Sequence, residues 1–172
     1  MTATTKESPA HGSARAASLA ARIEEGAASL AAFAETLSDS EWQKPASATD
    51  RRTIGLIVFH VASIYPVEID VAKAAASGKA LSDLTWEVVA DLNAKTAKEN
   101  AGVTKSATLE LLRKNSREAA NAVRQFTDEQ LDTAAPFGLS YGAPVTAQFV
   151  IEDHALRHSW HHLARIRKAL AR

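Results

Sequence analysis

Apolar residues recur at helical spacing along almost the whole chain, and that period leaves little for the sequence to fold into besides packed α-helices. Alanine, leucine and charged residues dominate and β-branched runs are scarce, so no strand is predicted. A first helix is expected from about Ser13 to Thr36, with Leu19, Ile23, Leu30, Phe33 and Leu37 as its stripe. Ser38-Asp-Ser-Glu41 has the form of a capping box and starts one short turn through Trp42, which Pro45 ends. A second helix is expected from about Thr53 to Ser77, stopped by Gly78. Pro66 lies inside it, removes a backbone donor opposite the Ala62 carbonyl, and predicts a kink just after His60.

The third helix comes in two pieces, about Thr85 to Asn100 and about Ser106 to Phe126, divided around Gly102. The last spans about Val145 to Ala171 and follows the turn-rich segment Pro136–Pro144. Leu37-Ser-Asp-Ser-Glu-Trp42 and Phe126-Thr-Asp-Glu-Gln-Leu131 share one residue order, a faint internal echo that a common helix-start pattern explains as readily as a duplication. The expected architecture is all-α: a four-helix bundle with short extra helical turns in its connections.

Residues 1–12 read as a disordered tail and 13–172 as a single domain, a length that suits one full core. The tail lacks the apolar stretch of a signal peptide, and His11 within it reads as incidental, so a cytoplasmic protein is expected. Twenty Lys+Arg balance twenty Asp+Glu and the basic residues are spread out, which gives no electrostatic footprint for nucleic acid or an anionic membrane. The longest apolar stretches, Ile54–Phe59 and Val61–Val67, fall short of the roughly 20 residues that span a bilayer. With no cysteine there is no disulfide, no thiolate ligand and no cysteine nucleophile, so a bound metal must be held by nitrogen and oxygen.

The residues that carry chemistry are the histidines. His154, His158, His161 and His162 fall within nine consecutive positions of the last helix, and His60 stands apart in the apolar run of the second. At about 100° per residue from His154, the core-facing arc of the last helix covers roughly 60–200°. His158 and His162 sit on its edge, at about 40° and about 80°. His154 and His161 fall near 0° and about −20°, among Arg157, Arg165 and Lys168, where a solvated or supporting role is expected. Side chains four apart on a helix have Cβ atoms about 5–6 Å apart, so His158 and His162 can close on one ion. His60 lies mid-stripe, with Leu56, Ile57, Ile64, Val67 and Val71 on its face, and supplies the candidate third ligand. A lone histidine there would otherwise read as a core residue bonded to a carbonyl.

Glu152, at about 160° on the same wheel, reads as an inward acid and the candidate general base, or else as an acid interacting with the dipole near the helix N-terminus. Trp160, at about 240°, lies off the core arc and reads as an anchor for a homodimer interface, or as a residue packed under the preceding loop.

Taken together, the Leu37–Trp42 turn, His60-Val61-Ala62, the Phe126–Asp132 turn and a final helix reading His158-Ser-Trp-His-His162-Leu-Ala-Arg-Ile resemble the DinB-like superfamily. The chain is similar in particular to its YfiT-like branch, whose last helix carries an H-x-x-H-H pattern. The resemblance covers about Ser13 to Leu170. It implies a four-helix bundle of up-down-down-up type, often dimeric, holding a divalent metal through His60, His158 and His162. It further implies chemistry with a low-molecular-weight thiol such as mycothiol, bacillithiol or glutathione, transferred to an electrophilic small molecule. A metal-dependent hydrolase and a metal-binding bundle without turnover are the alternatives. Leu163, Ala164 and Arg165 stand where some branches carry HHRGQ, and Pro66 is a second departure. Imidazole suits zinc, copper, iron and nickel alike; zinc is expected first and nickel second.

Overall fold

Every helix from α1 to α7 begins at a Ser or Thr whose side chain accepts a backbone N–H of the first turn, which satisfies one of the donors a helix start leaves open. The computed structural model describes residues 12–171, so His11 and all but the last residue of the expected tail lie outside it. In chain order the helices are α1 (Ala14–Glu35), α2 (Asp39–Trp42), α3 (Ile54–Ala76), α4 (Trp86–Glu99), α5 (Lys105–Val123) and α6 (Asp128–Asp132). Two short strands follow, β1 (Ala134–Pro136) and β2 (Pro144–Thr146), then α7 (Ala147–Ile151), a π-helical turn (Glu152–Leu156) and α8 (Arg157–Leu170). Both halves of the sequence echo form true capping boxes, Ser38 with Glu41 and Thr127 with Gln130.

The bundle consists of α1, α3, α5 and the α7–α8 rod. α5 packs along both α1 and α3, while the rod lies against α1 and α3 on the other side. Ile23 and Leu30 of α1, Ile57 and Tyr65 of α3, Leu112 of α5, and Ile151, Leu163 and Ile166 of the rod are all fully buried between them. The two pieces expected of a third helix have different fates: α5 is a bundle helix, whereas α4 buries none of its residues and lies outside, against α3. By length and composition α3 is apolar enough to cross a membrane, with a mean hydropathy of 1.6 over eighteen residues, and here half of that window is buried inside the protein.

Pro66 is accommodated inside a continuous α3. Lacking an N–H, it cannot bond the Ala62 carbonyl, and the Asn115 side chain of α5 donates to that carbonyl instead, at 2.8 Å. This explains why a polar Asn115 is buried on the face of α5 turned to α3. On the other side, the Tyr65 and Ser159 hydroxyls share a buried hydrogen bond of 2.7 Å that fixes α3 against α8. Burial raises the Tyr65 phenol well above its ordinary range.

The expectation of a strand-free chain is corrected by β1 and β2, an antiparallel pair with Ala134 opposite Thr146 and Pro136 opposite Pro144. Three-residue strands are too short to show a period of two, so nothing in the local pattern announces them. The connection before α4 docks on this hairpin: Leu81 donates to the Pro136 carbonyl and Gly138 to the Leu81 carbonyl. Phe137 is thereby buried at the hairpin's tip.

Candidate metal centre

Because Tyr65–Ser159 locks α3 to α8, the one-turn-spaced His158 and His162 meet His60 across the helix interface. The His60 and His158 rings lie edge to face at 4.9 Å, His60 and His162 at 5.4 Å, and His158 stacks on His162 at 4.8 Å. The His60 and His158 Nε2 atoms are 3.0 Å apart, and one nitrogen from each of the three rings lies within 4.8 Å of the others. Two imidazole nitrogens on one tetrahedral ion stand about 3.3 Å apart, so this spacing suits a shared divalent ion with small ring adjustments.

The protonation states suit it as well. Burial, followed by the charges of His158 and Arg52, pushes His60 down to about 3. Burial also lowers His162, helped by His158 and His60. Both rings are therefore neutral at physiological pH, the form that coordinates a metal.

Glu68, one of the residues that make the site, escaped the sequence reading. It is 6% exposed, and its Oε1 lies 2.5 Å from His158 Nδ1. With Nδ1 held by a carboxylate, the Nε2 lone pair of His158 turns towards His60 and the space between the rings. The signal was present but faint: Glu68 is the first charged side chain after Arg52, set between Val67 and Ile69 at the end of an uncharged run of α3 that precedes Asp70 and Lys73. Among the described residues, the buried side-chain polar atoms without a hydrogen-bond partner are Glu68 Oε2, His154 Nε2, His162 Nδ1 and Thr108 Oγ1. Three of these lie here, at a site whose donors a bound ion and its ligands would engage.

The π-helical turn rearranges the approach to the site. A π turn takes up one residue more than an α turn, so a wheel carried through it at 100° per residue is misphased by about one residue's rotation. His154, expected on the polar side, is instead largely buried beside the Phe137 ring at 5.7 Å, and burial lowers its pKa. Glu152, expected inward, faces away from the three histidines, accepting from Gln148 at 3.3 Å and lying 3.8 Å from Arg22 of α1. The geometry thus does not bring Glu152 to the ligand set, and the misphased turn is the reason. His161 is exposed at the cavity mouth, as its wheel position predicts. Trp160 keeps 38% exposure and lays its indole on Gly26 of α1, where a Cβ would come within 2.8 Å of Nε1. Arg165, one of the departures from HHRGQ, bonds Asp50 at 2.9 Å and ties the connection before α3 to α8. Arg52, then Arg165, holds the Asp50 carboxyl well below the usual range.

A cavity of about 350 Å³ opens over the three histidines, within the range of small-molecule sites. The floor is made by His60, His158, His162 and Glu68, and the mouth by Asp153, Arg157 and His161. Side chains of α3, α4 and the hairpin tip form its apolar wall.

Residues 22–166 match the family model of the DinB superfamily. Among solved structures the chain is similar to YfiT from Bacillus subtilis, described as a probable metal-dependent hydrolase with an unusual four-helix bundle topology. The TM-score is 0.74 at 18% identity, over 97% of this chain and 92% of that one, a likeness of fold. No curated protein matches the chain.

Proposed function

The chain belongs to the DinB superfamily, and from that and the geometry of its histidines we propose a metal-dependent enzyme that transfers a low-molecular-weight thiol to an electrophilic small molecule. The carrying observation is a triad of inward imidazoles, His60, His158 and His162, forming the floor of a cavity of substrate size. Three protein ligands leave a position open, as in catalytic rather than structural sites. A divalent ion held there, zinc before nickel, would supply Lewis acidity and lower the pKa of a bound thiol or water.

The remaining roles fall to the chain's own side chains. Glu68 orients His158, and Tyr65–Ser159 keeps the two ligand-bearing helices in register. The carboxylates nearest the site are engaged, Glu68 by His158 and Asp153 by Arg157 at 3.1 Å, and Glu152 is turned away. Among the described residues the carboxylate closest to the ligand set is Glu68, already tied to His158 through Oε1 with only Oε2 unpartnered. A thiol, with an ordinary pKa of about 8.5, needs far less help to ionise than water does, which favours thiol transfer over the YfiT-like hydrolase alternative.

The test begins with metal analysis of protein purified without a histidine tag. Stoichiometric metal is expected, lost in His60→Ala, His158→Ala and His162→Ala but not in His11→Ala; full occupancy in His60→Ala would refute the ligand set. Turnover of an electrophile only when mycothiol, bacillithiol or glutathione is added is the expected activity. Ester or amide hydrolysis without thiol would establish the hydrolase instead, and bound metal with neither activity would make this a binding protein.

A further inference from the structure

None of the fourteen residues of α4 is buried, and the helix packs chiefly on α3. It is nonetheless amphipathic, with Val89 and Leu92 turned to the cavity over the histidines and Trp86 pinned across its edge by an indole N–H to the Leu139 carbonyl at 3.1 Å. Trp86 and Leu92 line the cavity yet remain 51% and 40% exposed. An apolar helix face that covers a void is a poor contributor to stability, because its side chains lack packing partners on one side. The opposite wall, Ile64, Val67 and Val71 of α3, is equally apolar.

The charged side chains at the mouth are matched, Arg157 lying against Asp153, and at the floor one oxygen of the buried Glu68 is taken up by His158. Between mouth and floor the walls are apolar, with no free cation among the described residues to hold an anionic ligand body. We propose that the α3–α4 cleft is the binding site for an uncharged, apolar substrate body, with α4 as the wall that settles on it and the reacting end directed to the histidine floor. The direction of the reacting end rests on the metal-centre reading above; the apolar site itself does not.

The test separates the two. Metal-free protein is titrated with butan-1-ol, hexan-1-ol and octan-1-ol, read by tryptophan fluorescence and calorimetry. Affinity is expected to rise by up to about fourfold for each added methylene, the gain from burying a CH2, with a blue shift as Trp86 leaves water. Leu92→Asp, at a partly exposed position that tolerates the change, is expected to remove the chain-length dependence. Val88→Asp, on the same helix but 49% exposed and outside the cavity lining, is expected to retain it. Affinities flat across the three alcohols, or a chain-length dependence that survives Leu92→Asp, would overturn the proposal.

In a second arm, zinc-loaded protein is titrated with acetohydroxamate and hexanohydroxamate, whose shared head binds the metal. Tighter binding of the longer chain, again lost in Leu92→Asp, places the apolar body beside the ligand set. Failure of acetohydroxamate to bind while the alcohol series behaves as expected would refute the metal reading and leave the apolar site standing.

Discussion

Replacing Glu68 tests whether the three histidines act as a ligand set or merely as buried rings. Its carboxylate lies 2.5 Å from His158 Nδ1, in a position that is 6% exposed. A hydrogen bond to an ionised partner is roughly twice as strong as a neutral one, and partners of this kind on metal-binding histidines are worth about 10–100-fold in affinity. Glu68→Gln keeps an acceptor for Nδ1–H but removes the charge, so a loss of about tenfold is expected. Glu68→Ala also frees the ring to rotate and to exchange tautomers, and the expected loss approaches about 100-fold, or about 2.7 kcal/mol. Zinc affinity is measured by competition with a chromophoric chelator, alongside circular dichroism to show that the bundle is intact. An unchanged zinc affinity in a folded Glu68→Ala protein would refute the reasoning, because His158 would then need no orientation to bind.

Asn115→Ala should cost about 1–3 kcal/mol by leaving the Ala62 carbonyl buried and unpaired. The cost should shrink in a Pro66→Ala background, where a backbone N–H can restore the helix bond; equal costs in both backgrounds, by urea denaturation, would count against this pairing. The metal-free protein should lose stability in acid. His60 and His162 titrate below their unfolded value of 6.5 in the fold, so above that pH neither state binds their protons and stability is at its plateau. Below it the unfolded chain takes up protons that the fold refuses, at up to about 1.4 kcal/mol per pH unit for each ring, until His60 titrates near 3. A flat stability between pH 6.5 and 4 would contradict this, and a His60→Gln/His162→Gln protein should show the flatter profile. A homodimer is expected in solution, although Trp160 gives part of its surface to Gly26 within the chain. A monomeric mass by light scattering at micromolar concentration would decide against it.

The sequence by itself determined the long helices and singled out the three histidines, because both rest on short-range geometry. Helix starts are written in Ser and Thr caps, and His158 and His162 share a face because four residues make about one turn. His60 was legible from its place in an apolar stripe. Tertiary structure decided what depends on which surfaces meet. An acid at the edge of a stripe, Glu68, becomes a partner of His158 only once α8 lies against α3. The carbonyl freed by Pro66 finds Asn115 from a different helix, and α3 runs through the proline as one continuous helix. Two helices of similar promise were separated by packing alone: α5 entered the bundle, and α4 was left to wall the cavity. The π-helical turn is the sharpest case. One residue absorbed into it carried Glu152 to Arg22 and His154 towards the site, and no periodic reading of the sequence can see that shift, because the turn breaks the period on which such a reading depends.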